Sequence, residues 1–166
     1  DLQPKLETYI QAVASGRADY TAFRNLHVEP ILFGMTNPSN GVIDALISSG
    51  EIALISNDSL KYFLADWKNQ LENLYENEQI LWESGIAYMG MASSRIPFPS
   101  HQWPDWTTEK LEATFNGLKK DIIYRNNLVG FEGTNQIVVL ECQTILAKLD
   151  KVLGLIEQEI QQHQKQ

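Results

Sequence analysis

The chain has 166 residues, 43% of them hydrophobic and 20% charged, with 10 glycines, 6 prolines and 1 cysteine. That length fits one domain, or one domain with an appended helical arm, large enough to fold without a disulfide or a metal, and the composition excludes collagen, low-complexity disorder and a disulfide scaffold. Lys and Arg number 13 against 21 Asp and Glu, a formal net charge of -8, a field that opposes nucleic acid and anionic lipid as main partners.

Leu2, Leu6, Tyr9, Ile10 and Val13 recur at helical spacing. Pro4 is tolerated in a first turn and Gly16 is a stop, so a helix is expected over about residues 2–15. A short helix near Asp19–Leu26 follows, with Asp19 as its cap. His27 to Asn40 reads as a connector containing Pro30, Gly34 and Pro38, and its Ile31-Leu32-Phe33 run must dock on something. Ser39 or Asn40 caps a helix that ends at Gly50, with Val42, Leu46 and Ile47 inward. Glu51 to Ile55 is a short apolar link.

Asn57 or Asp58 caps the next helix, in which Leu60, Phe63, Leu64, Trp67, Leu71, Leu74, Leu81 and Trp82 step by threes and fours. It is expected over about residues 58–92, on the order of 50 Å, with Glu72, Glu76 and Glu83 outward. Pro97, Pro99 and Pro104 forbid a helix between Ser94 and Thr107. Thr107 or Thr108 then opens a final helical region reaching residue 162. There Val138, Cys142, Ile145, Leu149, Val152, Ile156 and Ile160 keep the rhythm of a bundle seam, with Cys142 read as a small buried hydrophobe. Gly130 and Gly133 each cost roughly 1 kcal/mol in a helix, so a kink or break is expected near Gly130–Gly133.

No period-2 run of useful length occurs. The fold class is therefore all-α: an elongated antiparallel helical bundle with two long helices and shorter N-terminal helices, forming a single helical domain over residues 1–166. No apolar run approaches the roughly 20 residues that a membrane-spanning helix needs. The chain opens Asp1-Leu2-Gln3-Pro4 with neither an initiator Met nor a signal peptide, which reads as a mature or excised fragment.

The P-loop, GxGxxG, GxSxG, HExxH and CxxC signatures are absent, and no Glu is followed by His three residues on, as a di-iron bundle requires. No catalytic residue, metal or cofactor is expected. Glu72 with Glu76, and Glu159 with His163, read as solvated charged faces rather than ligand sets. The proline-rich loop gives two readings. Arg95, His101, Trp103 and Trp106, joined by Arg125, are the candidate ligand-binding residues, since pockets pair apolar walls with a few polar groups. Alternatively Ile96, Phe98, Trp103 and Trp106 plug the end of the bundle. A pocket leaves Arg95 and His101 facing a cavity; a plug leaves them in solvent. Arg125 is expected to pair with Asp121 one turn back, anion binding being its sharper alternative.

The stretch Asn37-Pro38-Ser39-Asn40-Gly41, followed by Leu46-Ile47-Ser48-Ser49-Gly50-Glu51-Ile52-Ala53-Leu54-Ile55-Ser56-Asn57-Asp58-Ser59-Leu60, resembles a segment of uncharacterised bacterial envelope proteins. These carry one N-terminal membrane span and a helical extracytoplasmic domain. The end, Leu149-Asp150-Lys151-Val152-Leu153-Gly154-Leu155-Ile156-Glu157-Gln158-Glu159-Ile160, is similar to the way those chains close. The resemblance covers about a third of the chain, carries no catalytic residues, and implies a domain in the periplasm held to the inner membrane by a span missing from this chain.

Three functions are compatible with these features. The first is a non-enzymatic periplasmic sensing or protein-interaction domain of a membrane-anchored bacterial protein. The second is a small-molecule-binding or hydrolytic protein with a site around the 95–106 loop. The third is a soluble cytosolic helical adaptor. The expected partner is an unidentified protein or small ligand, and the 138–160 seam also admits a homodimer.

Overall fold

The computed structural model describes residues 3–28, 39–96 and 106–164. Among them the chain is all-α, as expected: α1 (Gln3–Ala14), α2 (Tyr20–Val28), α3 (Gly41–Ser48), a 3-10 turn (Glu51–Leu54), α4 (Asp58–Ser93), α5 (Thr108–Leu118) and α6 (Ile122–His163). The two long helices have 36 and 42 residues, about 54 and 63 Å at 1.5 Å per residue. The Ile31-Leu32-Phe33 run and most of the proline-rich loop lie outside the described residues.

Local chemistry sets the boundaries. Gly16 ends α1 at φ 71°, in the left-handed region that a residue without Cβ enters freely. The Arg17 and Ala18 amides then turn back onto Ala12 O. Asp19 Oδ1 caps α2 by accepting from Ala22 N at 2.8 Å. Gly50, at φ 76°, separates α3 from the 3-10 turn. Asn57 starts α4, its Oδ1 accepting from Leu60 N at 3.1 Å, and Thr107 starts α5 by accepting from Lys110 N.

The final helical region breaks at Lys119–Asp121 rather than at the glycines. Asp121 Oδ1 accepts from the amides of Ile123 and Tyr124 at 2.8 and 3.4 Å, so it caps a new helix. Helix α6 continues through Gly130 and Gly133. Its Tyr124, Leu128, Phe131 and Asn135 are buried at helical spacing, and burying that stripe outweighs a glycine cost of roughly 1 kcal/mol each.

The chain divides into two compact units: Asp1–Gly34 with Glu78–Ile137, and Met35–Asn77 with Val138–Gln166. The first holds an aromatic core. Phe23, Phe115, Tyr88, Tyr124 and Phe131 are each fully buried. Phe23 meets Phe115 at 5.2 Å between centroids, and Tyr88 stacks on Phe131 at 5.6 Å with 8° between planes, arrangements worth about 0.5–1.5 kcal/mol beyond area. Leu6 of α1 is also fully buried, and Ile96 just past α4 is too.

In the second unit the start of α4 runs antiparallel to the end of α6. Lys151 Nζ stands 5.1 Å from the Phe63 ring centre, and Asn77 Nδ2 donates to Glu141 Oε2 at 2.6 Å. Leu60, Leu74, Val138 and Ile145 form its buried contact row. Helix α3 reaches this pair through Asn40, whose Oδ1 accepts from Trp67 Nε1 at 3.1 Å. Asn40 thus holds an indole and makes no side-chain cap to α3.

Candidate functional site

Of the candidate ligand-binding residues, His101 and Trp103 lie outside the described residues. Arg95 follows α4 with its side chain 54% exposed, and Nη2 stands 3.4 Å from Asp121 Oδ2. Asp121 thus divides its carboxylate between the α6 amides and Arg95, instead of pairing with Arg125 as the spacing suggests. Trp106 is half-buried, with Lys110 Nζ 4.5 Å from its ring centre. Ile96, beside Arg95, is fully buried.

Arg125 is brought to a different feature. With Lys119, Lys120, Asn116 and the end of α1 at Val13, Ala14 and Gly16, it lines a cleft of about 450 Å³. The three charged residues of that lining are all cations. Lys119 Nζ is already engaged: it donates to Gly16 O at 3.3 Å and to Ala18 O at 3.0 Å. On the other side of α1, Pro4, Thr8, Tyr9, Ala12 and Ala22 line an apolar groove of about 440 Å³.

At the centre of the first unit three phenols form a chain that sequence reasoning missed. Tyr9 and Tyr124 hydroxyls are 2.8 Å apart, and those of Tyr88 and Tyr124 are 3.1 Å apart. Burial pushes all three pKa values above the ordinary tyrosine range. For Tyr9 and Tyr88 the neighbouring phenols raise the value further, while at Tyr124 the two hydrogen bonds oppose the rise. The phenols therefore stay neutral at physiological pH and satisfy one another inside an apolar core. Each sits at a helical core position, which gives no sign in sequence that the three hydroxyls meet.

The second unit presents an unpaired surface. On both long helices, the residues three positions after the contact row meet across one flank. Asn77 and Glu141, which follow Leu74 and Val138, are bonded there, and Lys148, which follows Ile145, adds its charge to the hydrogen bonds from Gln70 and Asn69 that lower the Asp66 pKa. In an antiparallel pair the residues one position after the contact row then share the opposite flank. On α6 these are Val139, Leu146, Leu153 and Ile160. Leu146, Leu153 and Ile160 are 61%, 58% and 52% exposed. On α4 Tyr75 follows Leu74 and is 50% exposed. One flank is thus cross-linked and polar; the other is apolar and open on α6 and carries Lys61 and Lys68 beside Tyr75 on α4.

The expected seam named Ile160 as inward, but the inward residue at that turn is Glu159, 9% exposed. Its carboxylate accepts from Ser56 N and from Ser56 Oγ, the latter at 2.8 Å. Glu159 is therefore a buried acceptor tying the end of α6 to the turn before α4, not part of a solvated face. Trp82, also expected inward, is 42% exposed. Cys142 is half-buried. Among the described residues no group of three His, Cys, Asp or Glu side chains is placed to hold a metal, and no helix is long and apolar enough to cross a membrane. No protein family, curated protein or solved structure matches this chain.

Proposed function

We propose that this chain is a non-enzymatic, helical protein-interaction domain whose docking surface is the apolar flank of the second unit. The observation that carries this reading is the row Leu146, Leu153 and Ile160, spaced by seven on α6 and more than half exposed, with Tyr75 on the same flank. A hydrophobic side chain of this size gains about 1.5–3 kcal/mol on full burial, and an exposed apolar row at seven-residue spacing on a helix fits an interaction surface. The test places a photo-reactive residue at position 153 and, as a control on the polar flank, at position 151, in the full chain inside its native cells. Intermolecular cross-links from 153 in excess of those from 151 are expected; equal yields from both positions defeat the reading. The resemblance of residues 37–60 and 149–160 extends the proposal to a periplasmic domain of an anchored envelope protein. An apolar span encoded upstream of Asp1 supports that placement, and an upstream sequence without one removes it.

A further inference from the structure

We infer that the cleft between the end of α1 and the α5–α6 corner is a binding site for a small organic phosphate, whose phosphate group is held by Lys119, Lys120 and Arg125. The cleft lies within the first unit and is independent of the docking flank proposed above.

The placement of charge carries this. The chain as a whole is acidic, with a formal net charge of -8. Yet the two segments that form the cleft, residues 13–17 and 116–126, hold four cations, Arg17, Lys119, Lys120 and Arg125, against one carboxylate, Asp121. That carboxylate is already engaged. Its Oδ1 accepts from the amides of Ile123 and Tyr124, and its Oδ2 lies 3.4 Å from Arg95 Nη2. Screening acts over about 8 Å at physiological salt, so this local excess, rather than the acidic residues elsewhere, sets the field inside the cleft.

Helix chemistry explains only part of the excess. Lysines at the end of α5 complement its carbonyl end, and Lys119 donates to Gly16 O and Ala18 O. Those two bonds leave one of its three ammonium protons to give. Arg125 is different. It stands in the first turn of α6 (Ile122–His163), where the helix dipole is already positive and a cation is disfavoured. Lys120 and Arg125 are both exposed, and among the described residues neither side chain makes a hydrogen bond or ion pair. The cleft therefore collects a guanidinium fork, suited to two oxygens of one anion, and two ammonium groups, with no carboxylate among its lining residues.

Three cations fit a phosphate monoester better than a carboxylate. The monoester carries close to two charges and three strong acceptor oxygens, whereas a carboxylate brings one charge and two oxygens. The volume of about 450 Å³ falls in the range of small-molecule sites, about 300–1,000 Å³, so there is room beyond the phosphate for an organic body. Val13 and Ala14 offer that body an apolar wall, and Asn116 offers it an amide.

Isothermal titration calorimetry of the full chain with ribose 5-phosphate, phenyl phosphate and inorganic phosphate tests this. At least one ester should bind saturably and more tightly than inorganic phosphate. Its affinity should fall as the pH drops below about 6, where the monoester takes up a proton. Arg125→Ala and Lys120→Ala should each weaken binding about tenfold, the loss of one charge-assisted hydrogen bond, with the helical circular dichroism retained. Lys68→Ala, in the second unit, should leave binding unchanged. The absence of saturable binding by all three probes up to about 10 mM overturns the inference. So do an equal loss in Lys68→Ala, inorganic phosphate binding as tightly as the esters, and citrate binding more tightly than either ester.

Discussion

In the first unit five aromatic rings are fully buried, those of Tyr88, Tyr124, Phe23, Phe115 and Phe131, although Trp82, Ile86 and Ile122 stay exposed there. In the second, Leu146, Leu153 and Tyr75 keep half or more of their surface in solvent while Leu60, Leu74, Val138 and Ile145 hold the contact row. The residues are of similar hydropathy, so composition does not separate the units. The difference is the number of layers. In the first, α1, α2 and α5 add further helices, as the Tyr9–Tyr124 and Phe23–Phe115 contacts show. Among the described residues of the second, α4 and α6 have beside them an eight-residue helix and a single 3-10 turn. Two helices can shelter one stripe each, and what remains apolar is left for something outside the unit.

The contrast breaks most readily at Phe131. Phe131→Ala removes a ring stacked on Tyr88 and should cost about 3–5 kcal/mol, whereas Leu146→Ala, on a surface position of the isolated chain, should cost within about 0.5 kcal/mol. Denaturant titration of both variants at submicromolar concentration measures this, and equal losses would mean that the flank is core.

Alkaline pH sharpens the comparison. The phenols of Tyr9, Tyr88 and Tyr124 have raised pKa values in the folded chain, so above about pH 10 the unfolded state releases protons that the folded state retains. Stability from these groups is complete below that pH and is lost as the pH rises through and beyond it, by up to about 1.4 kcal/mol per pH unit for each tyrosine. Tyr88→Phe should reduce that slope by about one tyrosine's share between pH 10 and 11; an unchanged slope would contradict the burial.

A smaller effect is expected at the second unit's own polar anchor. Glu159→Gln weakens the acceptor for Ser56 N and Oγ and should cost about 1–2 kcal/mol. Hydrogen exchange should rise in the peptide containing Ser56 while the peptide containing Tyr88 keeps its protection. A uniform rise across both would show that the two units do not separate energetically.

Much of this arrangement was readable from spacing alone. The caps at Asp19, Asn57 and Thr107, the stops at Gly16 and Gly50, and both long helices follow from local chemistry that a few residues decide. The break before α6 was misplaced because a glycine's cost is visible in sequence while the burial that offsets it is not. Asp121 sits where its short side chain can cap, but its surroundings look as helical as any. The seam on α6 was read one way although two rows overlap there, Val138–Ile145–Val152 and Val139–Leu146–Leu153. Choosing the buried one requires knowing where α4 lies. Arg125 was legible as a cation but not as part of a cleft, since its neighbours at Val13 and Gly16 are over a hundred positions away.

Lys119 carries one further consequence. Its ammonium holds two main-chain carbonyls, at Gly16 and Ala18, on either side of the corner where α1 turns into α2. Neutral peptide groups offer no counter-charge, so this tie is an ion–dipole one, less exposed to a compensating substitution than a carboxylate pair would be. Acylating that single amine would release both carbonyls together, making the corner between the first two helices answerable to a covalent mark placed far along the chain.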